Sequence, residues 1–275
     1  MSFGTLYVVA TPLGNLEDIT LRALRVLREV PLIACEDTRR TVKLLNRYEI
    51  RTPMTAFHDY NKARAGAGLL RRLREGGNVA LVSDAGTPAI SDPGYELVRD
   101  AAAAGVPVEV VPGPSALVAA LVVSGLPTDR FVFEGFLPNR PVRRRKALAA
   151  LSRETRTLIF YEAPQRIAGF LADAEEAFGE RRACIVRELT KVHEEILRGT
   201  LPALFEEISG RESVPGEITV VVAGAPRRVE RPVGDIVRAA LEGAAGSSRD
   251  LAREIAERTG ISRKEAYEEI LRQRK

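Results

Sequence analysis

Two loops hold the polar groups best placed for chemistry. In SDAGTPAISDPG, residues 83–94, Asp84 and Thr87 stand beside Gly86 and Pro88, which make a rigid turn. In PGPSA, residues 112–116, Ser115 precedes Ala116 at the start of an apolar helical run. Each loop leaves the carboxyl end of an apolar run, VALVS or VEVVP, and open α/β sheets bind small molecules in that crevice. Such weakly charged loops suit a ligand held by shape and backbone groups rather than a polyphosphate. Amides at a helix start, with the Ser115 hydroxyl, can hold a carboxylate. Asp92, just before Pro93, reads as a helix start.

Other strand ends are polar as well. ATPLGNLEDIT, residues 10–20, follows the first strand but has only Gly14, so it lacks the dinucleotide fingerprint. Gly14 would let a ligand approach the backbone closely, and Glu17 and Asp18 read either as helix-capping carboxylates or as substrate contacts. Glu36, Asp37 and Arg39 in ACEDTRRT fit either a hydroxylated or phosphorylated substrate or a surface salt network. Tyr161, Glu162 and Arg166 in FYEAPQR, and Arg187, Glu188 and Lys191 in VRELTK, form similar clusters in the second half. Recurrence in both halves favours a cleft. Arg143, Arg144 and Arg145 in RPVRRRK make the densest basic run, either a solvated face or a phosphate-neutralising one.

These groups must be carried by alternating strands and helices. Strand character marks residues 5–10, 32–35, 78–83 and 106–111, and helical periodicity marks 19–30, 39–47, 61–75 and 95–104. Parallel pairing follows. A second set of strands covers 131–136, 157–162, 183–189, 193–199 and 217–224, with the close 183–199 pair antiparallel and the sheet therefore mixed. The division expected is an α/β domain over 1–124, a second over 125–226, and a helical extension over 227–275. Ser247 to Asp250 and Ser262 to Glu265 have capping-box spacing, predicting two short helices joined through TGIS. They read either as a packed appendage or as a helix–turn–helix.

Composition narrows the classes. The 275 residues are 45% hydrophobic, enough for real cores, and the formal net charge of +4 permits a polyanionic partner without requiring one. Two cysteines and two histidines, widely dispersed, predict neither a disulfide framework nor a metal site. No apolar run approaches the length of a membrane span and the amino terminus lacks a leader pattern, so the expected location is the cytoplasm. With no Trp and 5% aromatics, stacking platforms for single strands are poorly supported.

Taken together, LYVVATPLGNLEDITLRALRVL, LIACEDTRRT, VALVSDAGTPAISDPGYELV, VEVVPGPSALVAAL, FVFEGFLP, TLIFYEAPQRI and VRELTKVHEEILRGTL with PGEITVVV span most of residues 5–224. They resemble the tetrapyrrole-methylase-like superfamily of S-adenosylmethionine-dependent enzymes. Within it they look like the bacterial branch that methylates the 2'-oxygen of a cytidine in the decoding region of 16S ribosomal RNA. The resemblance implies an α/β fold of two domains of the tetrapyrrole methylase type with a small helical extension, S-adenosylmethionine in the cleft, and a homodimer. Carried onto this chain, the cofactor contacts would be Pro12, Leu13, Thr87, Ile90, Ser115, Ala116, Tyr161, Leu189, Pro215 and Ile218. Glu36, Asp37, Glu162 and Glu188 suit the removal of a ribose proton, and the residues alone do not choose among them. Arg39, Arg143, Arg144, Arg145, Arg166, Arg187 and Lys191 suit phosphate positioning on 16S ribosomal RNA, naked or within the small subunit. Methyl transfer from a sulfonium needs no metal. Tetrapyrrole enzymes often have Gly-Asp-Pro where this chain has Gly86-Thr87-Pro88, and a glycine-rich first loop where it has ATPLGN. Both departures weaken the alternative of a small tetrapyrrole-like acceptor. The other alternative is a non-catalytic RNA-binding or ribosome-assembly protein.

Overall fold

The computed structural model describes residues 2–226, 233–241, 247–259 and 262–274. Its contacts divide the chain into one unit over 1–225 and another over 226–275.

The first unit opens with β1 (Leu6–Val9), α1 (Leu21–Glu29), β2 (Ile33–Cys35), α2 (Thr38–Arg47), β3 (Met54–Ala56), α3 (Lys62–Arg74), β4 (Val79–Val82), α4 (Tyr95–Ala103) and β5 (Val108–Val111). These strands form one all-parallel sheet in the order β3-β2-β4-β1-β5. Such sheets are covered on both faces, so their strands are apolar throughout rather than alternating. In β4 all four residues are buried, and successive side chains enter opposite cores. Val79 and Leu81 pack with Leu69, Leu73 and Leu97 of α3 and α4, whereas Ala80 and Val82 pack with Leu27 of α1 and Leu45 of α2. The short β3 escapes sequence periodicity.

The chain continues through α5 (Ala116–Ser124), β6 (Phe131–Phe136), α6 (Pro141–Ala150), β7 (Thr157–Glu162), α7 (Ile167–Phe178), β8 (Arg182–Arg187), β9 (Glu195–Thr200), α8 (Leu201–Ser209) and β10 (Ile218–Val222). The second sheet runs β6-β7-β10-β8-β9, with β6 and β7 parallel and the other pairs antiparallel. It is mixed, and its 183–199 pair is antiparallel, as expected. Leu148, Phe170 and Leu204 of α6, α7 and α8 cover one face. The other face, with Ile159, Cys184, Val186 and Val221, is covered by Ala120 and Leu121 of α5. A boundary at residue 124 would leave α5 with the first sheet, but its buried side belongs to the second. The packing boundary therefore precedes Ala116.

The basic run also needs correction. Arg143 and Arg145 lie exposed on α6, but Arg144 is buried. Its Nε lies 2.7 Å from Asp173 Oδ2 on α7, and a second guanidinium nitrogen donates to the Gly169 carbonyl at 3.0 Å. Arg144 ties α6 to α7 and is not available to a phosphate.

The unit over 226–275 contains α9 (Val233–Leu241), α10 (Ser248–Thr259) and α11 (Arg263–Gln273), where sequence reasoning expected two helices. They share a core of Val237, Leu251, Ile255, Ala266 and Ile270. Both capping serines act as expected, Ser247 Oγ accepting from Asp250 N–H and Ser262 Oγ from Glu265 N–H, each at 3.2 Å. Residues 227–232 of the expected extension, and Gly260 and Ile261 of the TGIS turn, lie outside the described residues.

Replacing Asp173 with Ala would strand the Arg144 guanidinium in the core and should lower stability by about 3 kcal/mol, the low end for a broken buried pair. The exposed Arg143→Ala should change stability by less than about 0.5 kcal/mol. Urea denaturation of the two variants checks this, and equal midpoints would show that the ion pair does not bind the helices.

Candidate active site

The irregular loops at the carboxyl ends of the first sheet are held by hydrogen bonds between them. Thr11 N–H donates to the Gly86 carbonyl at 2.8 Å, Gly86 N–H donates back at 3.0 Å, and Thr11 Oγ1 donates to the Ser83 carbonyl at 3.1 Å. Gly86 has φ +81, where a side chain is strained. Thr87 Oγ1 then donates to the Pro114 carbonyl at 3.2 Å, linking this loop to PGPSA. Gly14 serves another purpose than ligand approach: a Cβ there would meet Lys191 Cγ at 2.1 Å. Next to it, Asn15 N–H donates to Thr190 Oγ1 at 3.2 Å. The first loop is thus seated on the loop after β8.

A cavity of about 480 Å³ lies between the two sets of loops, within the range of small-molecule sites. Of the expected cofactor residues it gathers Leu13, Thr87, Ile90, Ser115, Ala116, Tyr161, Leu189 and Ile218. Pro12 instead lines an adjoining pocket of about 160 Å³, which shares Leu13, Arg40 and Asp84 with the cavity and also carries Lys43. Pro215 lines neither; its carbonyl accepts from Arg187 at 3.1 Å. The Ser115 side chain makes no cap hydrogen bond to α5, so its hydroxyl is not spent on the helix start. Tyr161 packs edge-on against Phe133, ring centres 4.9 Å apart, and burial pushes its phenol up to about 12.

Of the four candidate bases, Glu36 and Glu162 line the cavity and Asp37 and Glu188 do not. Asp37 caps α2, accepting from Arg39 N–H at 2.8 Å and from its guanidinium at 3.0 and 2.7 Å, and these bonds hold its carboxyl down at about 2. Burial acts to raise the Glu188 carboxyl, but Lys191 Nζ at 2.8 Å and Glu217 N–H at 2.9 Å outweigh it and leave it lowered. Both are structural anions. Glu162 is buried; Oε1 accepts from Ala163 N–H and pairs with Arg166 at 3.1 Å, while Oε2 has no hydrogen-bond partner. A buried carboxylate oxygen without a donor, on a residue lining a cavity, suits a donor on a bound molecule.

The expected phosphate ligands separate in the same way. Arg39 is exposed on α2, although paired with Asp37. Arg166 is held by Glu162 and the Leu137 carbonyl, Arg187 by Glu195 at 3.0 Å, and Lys191 by Glu188 and Glu217. These three build loops rather than meet solvent anions.

Sequence reasoning ranked the cavity's acidic wall too low. Asp84, Asp92 and Glu217 join Glu36 and Glu162 there, with Arg40 the lining cation. Asp84 lies 3.4 Å from Arg40 and accepts Asp37 N–H at 3.0 Å. Burial raises the Glu36 and Asp84 carboxyls, with Asp84 adding to the effect on Glu36, and Asp37 and Glu217 adding to that on Asp84. Asp92 does not begin α4, whose cap is Gly94 with no side-chain bond. Its carboxyl is pushed up to about 7, first by burial and then by Glu36, against a hydrogen bond from Ser83. Such a wall disfavours polyphosphates and favours a cation. Among the described residues no three His, Cys, Asp or Glu are grouped to hold a metal.

The model of the tetrapyrrole (corrin/porphyrin) methylases matches residues 5–204. The ribosomal RNA small subunit methyltransferase I of Pseudomonas aeruginosa is 54% identical over 226 residues, 82% of this chain and 80% of that protein. The enzyme of the same name from Thermotoga maritima is 49% identical over 221 residues, 80% of this chain and 99% of that one. The crystal structure of uroporphyrin-III C-methyltransferase from Thermus thermophilus, complexed with S-adenosyl homocysteine, aligns with a TM-score of 0.57 at 23% identity, covering 79% and 97% of the two chains. At that identity it bears on the fold alone.

Because burial pushes the Asp92 carboxyl up to about 7, the folded state binds a proton that the unfolded chain has released between about pH 4 and 7. Stability should therefore fall as pH rises through that window. Asp92→Asn should remove about 1–2 kcal/mol of this fall, the linkage value reduced for solvent screening. Urea midpoints at pH 5 and 8 measure the difference, and an unchanged pH slope in the variant would contradict the assignment.

Proposed function

This chain belongs to the tetrapyrrole methylase family, and from that premise we propose that it methylates the 2'-oxygen of a cytidine in the decoding region of 16S ribosomal RNA, using S-adenosylmethionine. The reading is carried by the extended similarity to small-subunit ribosomal RNA methyltransferases. The chain is a methyltransferase of this cofactor class, and its cavity fits the cofactor. Thr87, Ile90, Ser115, Ala116, Tyr161, Leu189 and Ile218 would surround it, the free Ser115 hydroxyl and the unpartnered Glu162 oxygen being available to its polar ends. Bound there, it would supply a methyl group on a cationic sulfur. The protein's own part is to align the acceptor oxygen, exclude water and take away a proton.

Two observations favour ribose over base or tetrapyrrole. Cys35 and Cys184 are buried and burial pushes both thiols up, so neither suits attack on a pyrimidine ring. Thr87 donates its hydroxyl proton to the Pro114 carbonyl; an ionised aspartate there would oppose an acceptor to an acceptor. The RNA would approach along exposed Arg39, Arg143 and Arg145, with the acceptor nucleotide entering beside Arg40 and Lys43.

The enzyme would act in the cytoplasm on the small subunit, as a homodimer. No helix among the described residues is long and apolar enough to cross a membrane. Val110 on edge strand β5, Val118 and Val122 on α5, and Phe131 and Phe136 on edge strand β6 are all exposed. Open apolar edges need a cover, and a second copy would provide it.

Small subunits from a strain lacking this enzyme, treated with the purified protein and cofactor, should yield 2'-O-methylcytidine at one position that resists alkaline cleavage. Recovery of a base-methylated cytidine with an unmodified ribose would refute the acceptor assignment. Light scattering should give twice the protomer mass, reduced to one protomer in Val118→Asp/Val122→Asp; a wild-type monomer would refute the dimer.

A further inference from the structure

Five carboxylates line the cavity, and their partners separate them. Glu162 is paired with Arg166, Asp84 with Arg40, and Glu217 with Lys191. Among the described residues, Glu36 and Asp92 are in no ion pair. Glu36 still accepts from the Asp84 backbone N–H; Asp92 lines the cavity and, among the described residues, is held only by the Ser83 hydroxyl.

The backbone gives a second reason. A residue before Pro at a helix start should cap the helix, yet α4 is capped by Gly94 at φ +140 without a side-chain bond. Ala89 and Ser91 are also left-handed, at φ +69 and +60. Non-glycine residues in that region are strained and concentrate at functional sites. Here the strained loop takes Asp92 away from the helix end and sets it in the cavity wall.

We propose that Asp92 accepts the ribose 2'-hydroxyl proton during methyl transfer. The proposal rests on the function argued above. The O–H bond breaks toward an Asp92 carboxylate oxygen, its electron pair forms the new oxygen–methyl bond, and the pair of the broken carbon–sulfur bond stays on sulfur. Charge balances: the carboxylate becomes a neutral acid and the sulfonium a neutral thioether. Glu36, Asp84 and Glu217 face Asp92 from the loops after β2 and β4 and before β10, and Tyr161 faces it from β7. Arg40, which also lines the cavity, is paired with Asp84 and Glu217. An acid whose ordinary value has been raised toward neutrality is matched to such a task near neutral pH.

The test uses the full-length protein, S-adenosylmethionine and unmethylated small subunits, with ribose methylation followed in single turnover from pH 5.5 to 9. The wild-type rate should rise with pH and level off above about 7, as expected for a base that must first be ionised. Asp92→Asn should lose about 10²–10³-fold in rate and lose the inflection, with KM for the subunit and calorimetric cofactor affinity within about threefold. Asp92→Glu should keep a pH inflection at a reduced rate. A readout independent of turnover is carbon-13 NMR of labelled Asp carboxyls in the ligand-free protein, where a resonance titrating near neutrality should be present in wild type and missing in Asp92→Asn. An Asn variant within threefold of the wild-type rate, or one retaining that resonance, overturns the proposal while ribose methylation by the wild type stands. Base methylation by the wild type overturns the function reading and this proposal with it.

Discussion

The site depends on one two-way hydrogen bond, between Thr11 and Gly86. A loop leaving a buried parallel strand must satisfy its backbone groups where water has little access. Thr11 is almost fully buried, and it answers this by forming a single antiparallel bridge to Gly86 while its hydroxyl serves the Ser83 carbonyl. Everything on the first-sheet side of the cavity follows from that bridge. It fixes where Thr87 begins, Thr87 fixes the PGPSA loop through the Pro114 carbonyl, and Ser115 then stands at the head of α5 with its hydroxyl unused by the helix. Loops chained in this way hold the first-sheet wall of the cavity largely through backbone and hydroxyl groups.

The other side is held by α5. Parallel and mixed sheets with apolar strands need both faces covered, and α6, α7 and α8 all lie on one face of the second sheet. Helix α5 closes the remaining face, although it grows directly out of the first sheet's last loop. The helix whose start lines the cavity is therefore also packed into the second core. The Asn15–Thr190 hydrogen bond and the tight seat of Gly14 on Lys191 make the same connection from the opposite direction. Two sheets that sequence periodicity treats as separate domains thus fall within one contact unit.

Most strands were legible because a strand buried on both faces is a continuous apolar run. β3 was not, since Met54–Ala56 is only three residues long and half-buried. The partner of α5 was hidden for a different reason: ALVAALVVS is apolar on all sides, so its pattern cannot say which core it enters. In the run RPVRRRK nothing local marks Arg144 as the buried member, because its partner Asp173 is 29 residues away on α7. The loop families that gather around the cavity were legible as Gly- and Pro-rich strand ends. The choice among carboxylates was not, because it depends on which of them find a cation. Asp37 and Glu188 looked as suitable as Glu36 until Arg39 and Lys191 were seen to hold them.

The distribution of charge then carries the argument further than its total. The formal net charge is +4, yet the cavity wall carries five carboxylates against Arg40. A polyanion is drawn to the exposed arginines and repelled from the cavity, whereas a cationic sulfonium is favoured inside it. On the proposed function this separates the two reactants without any residue specific to either: the cofactor settles among the carboxylates, and the RNA backbone stays at the rim. Only an uncharged part of the nucleotide can then be pushed inward at low electrostatic cost. The ribose hydroxyl is such a part, and the phosphates on either side of it are not. Burial raises the carboxyls of Glu36, Asp84 and Asp92, and the neighbouring like charges add to it. On the proposed function, one buried arrangement of like charges would supply both the selection of the acceptor and the proton affinity needed to activate it.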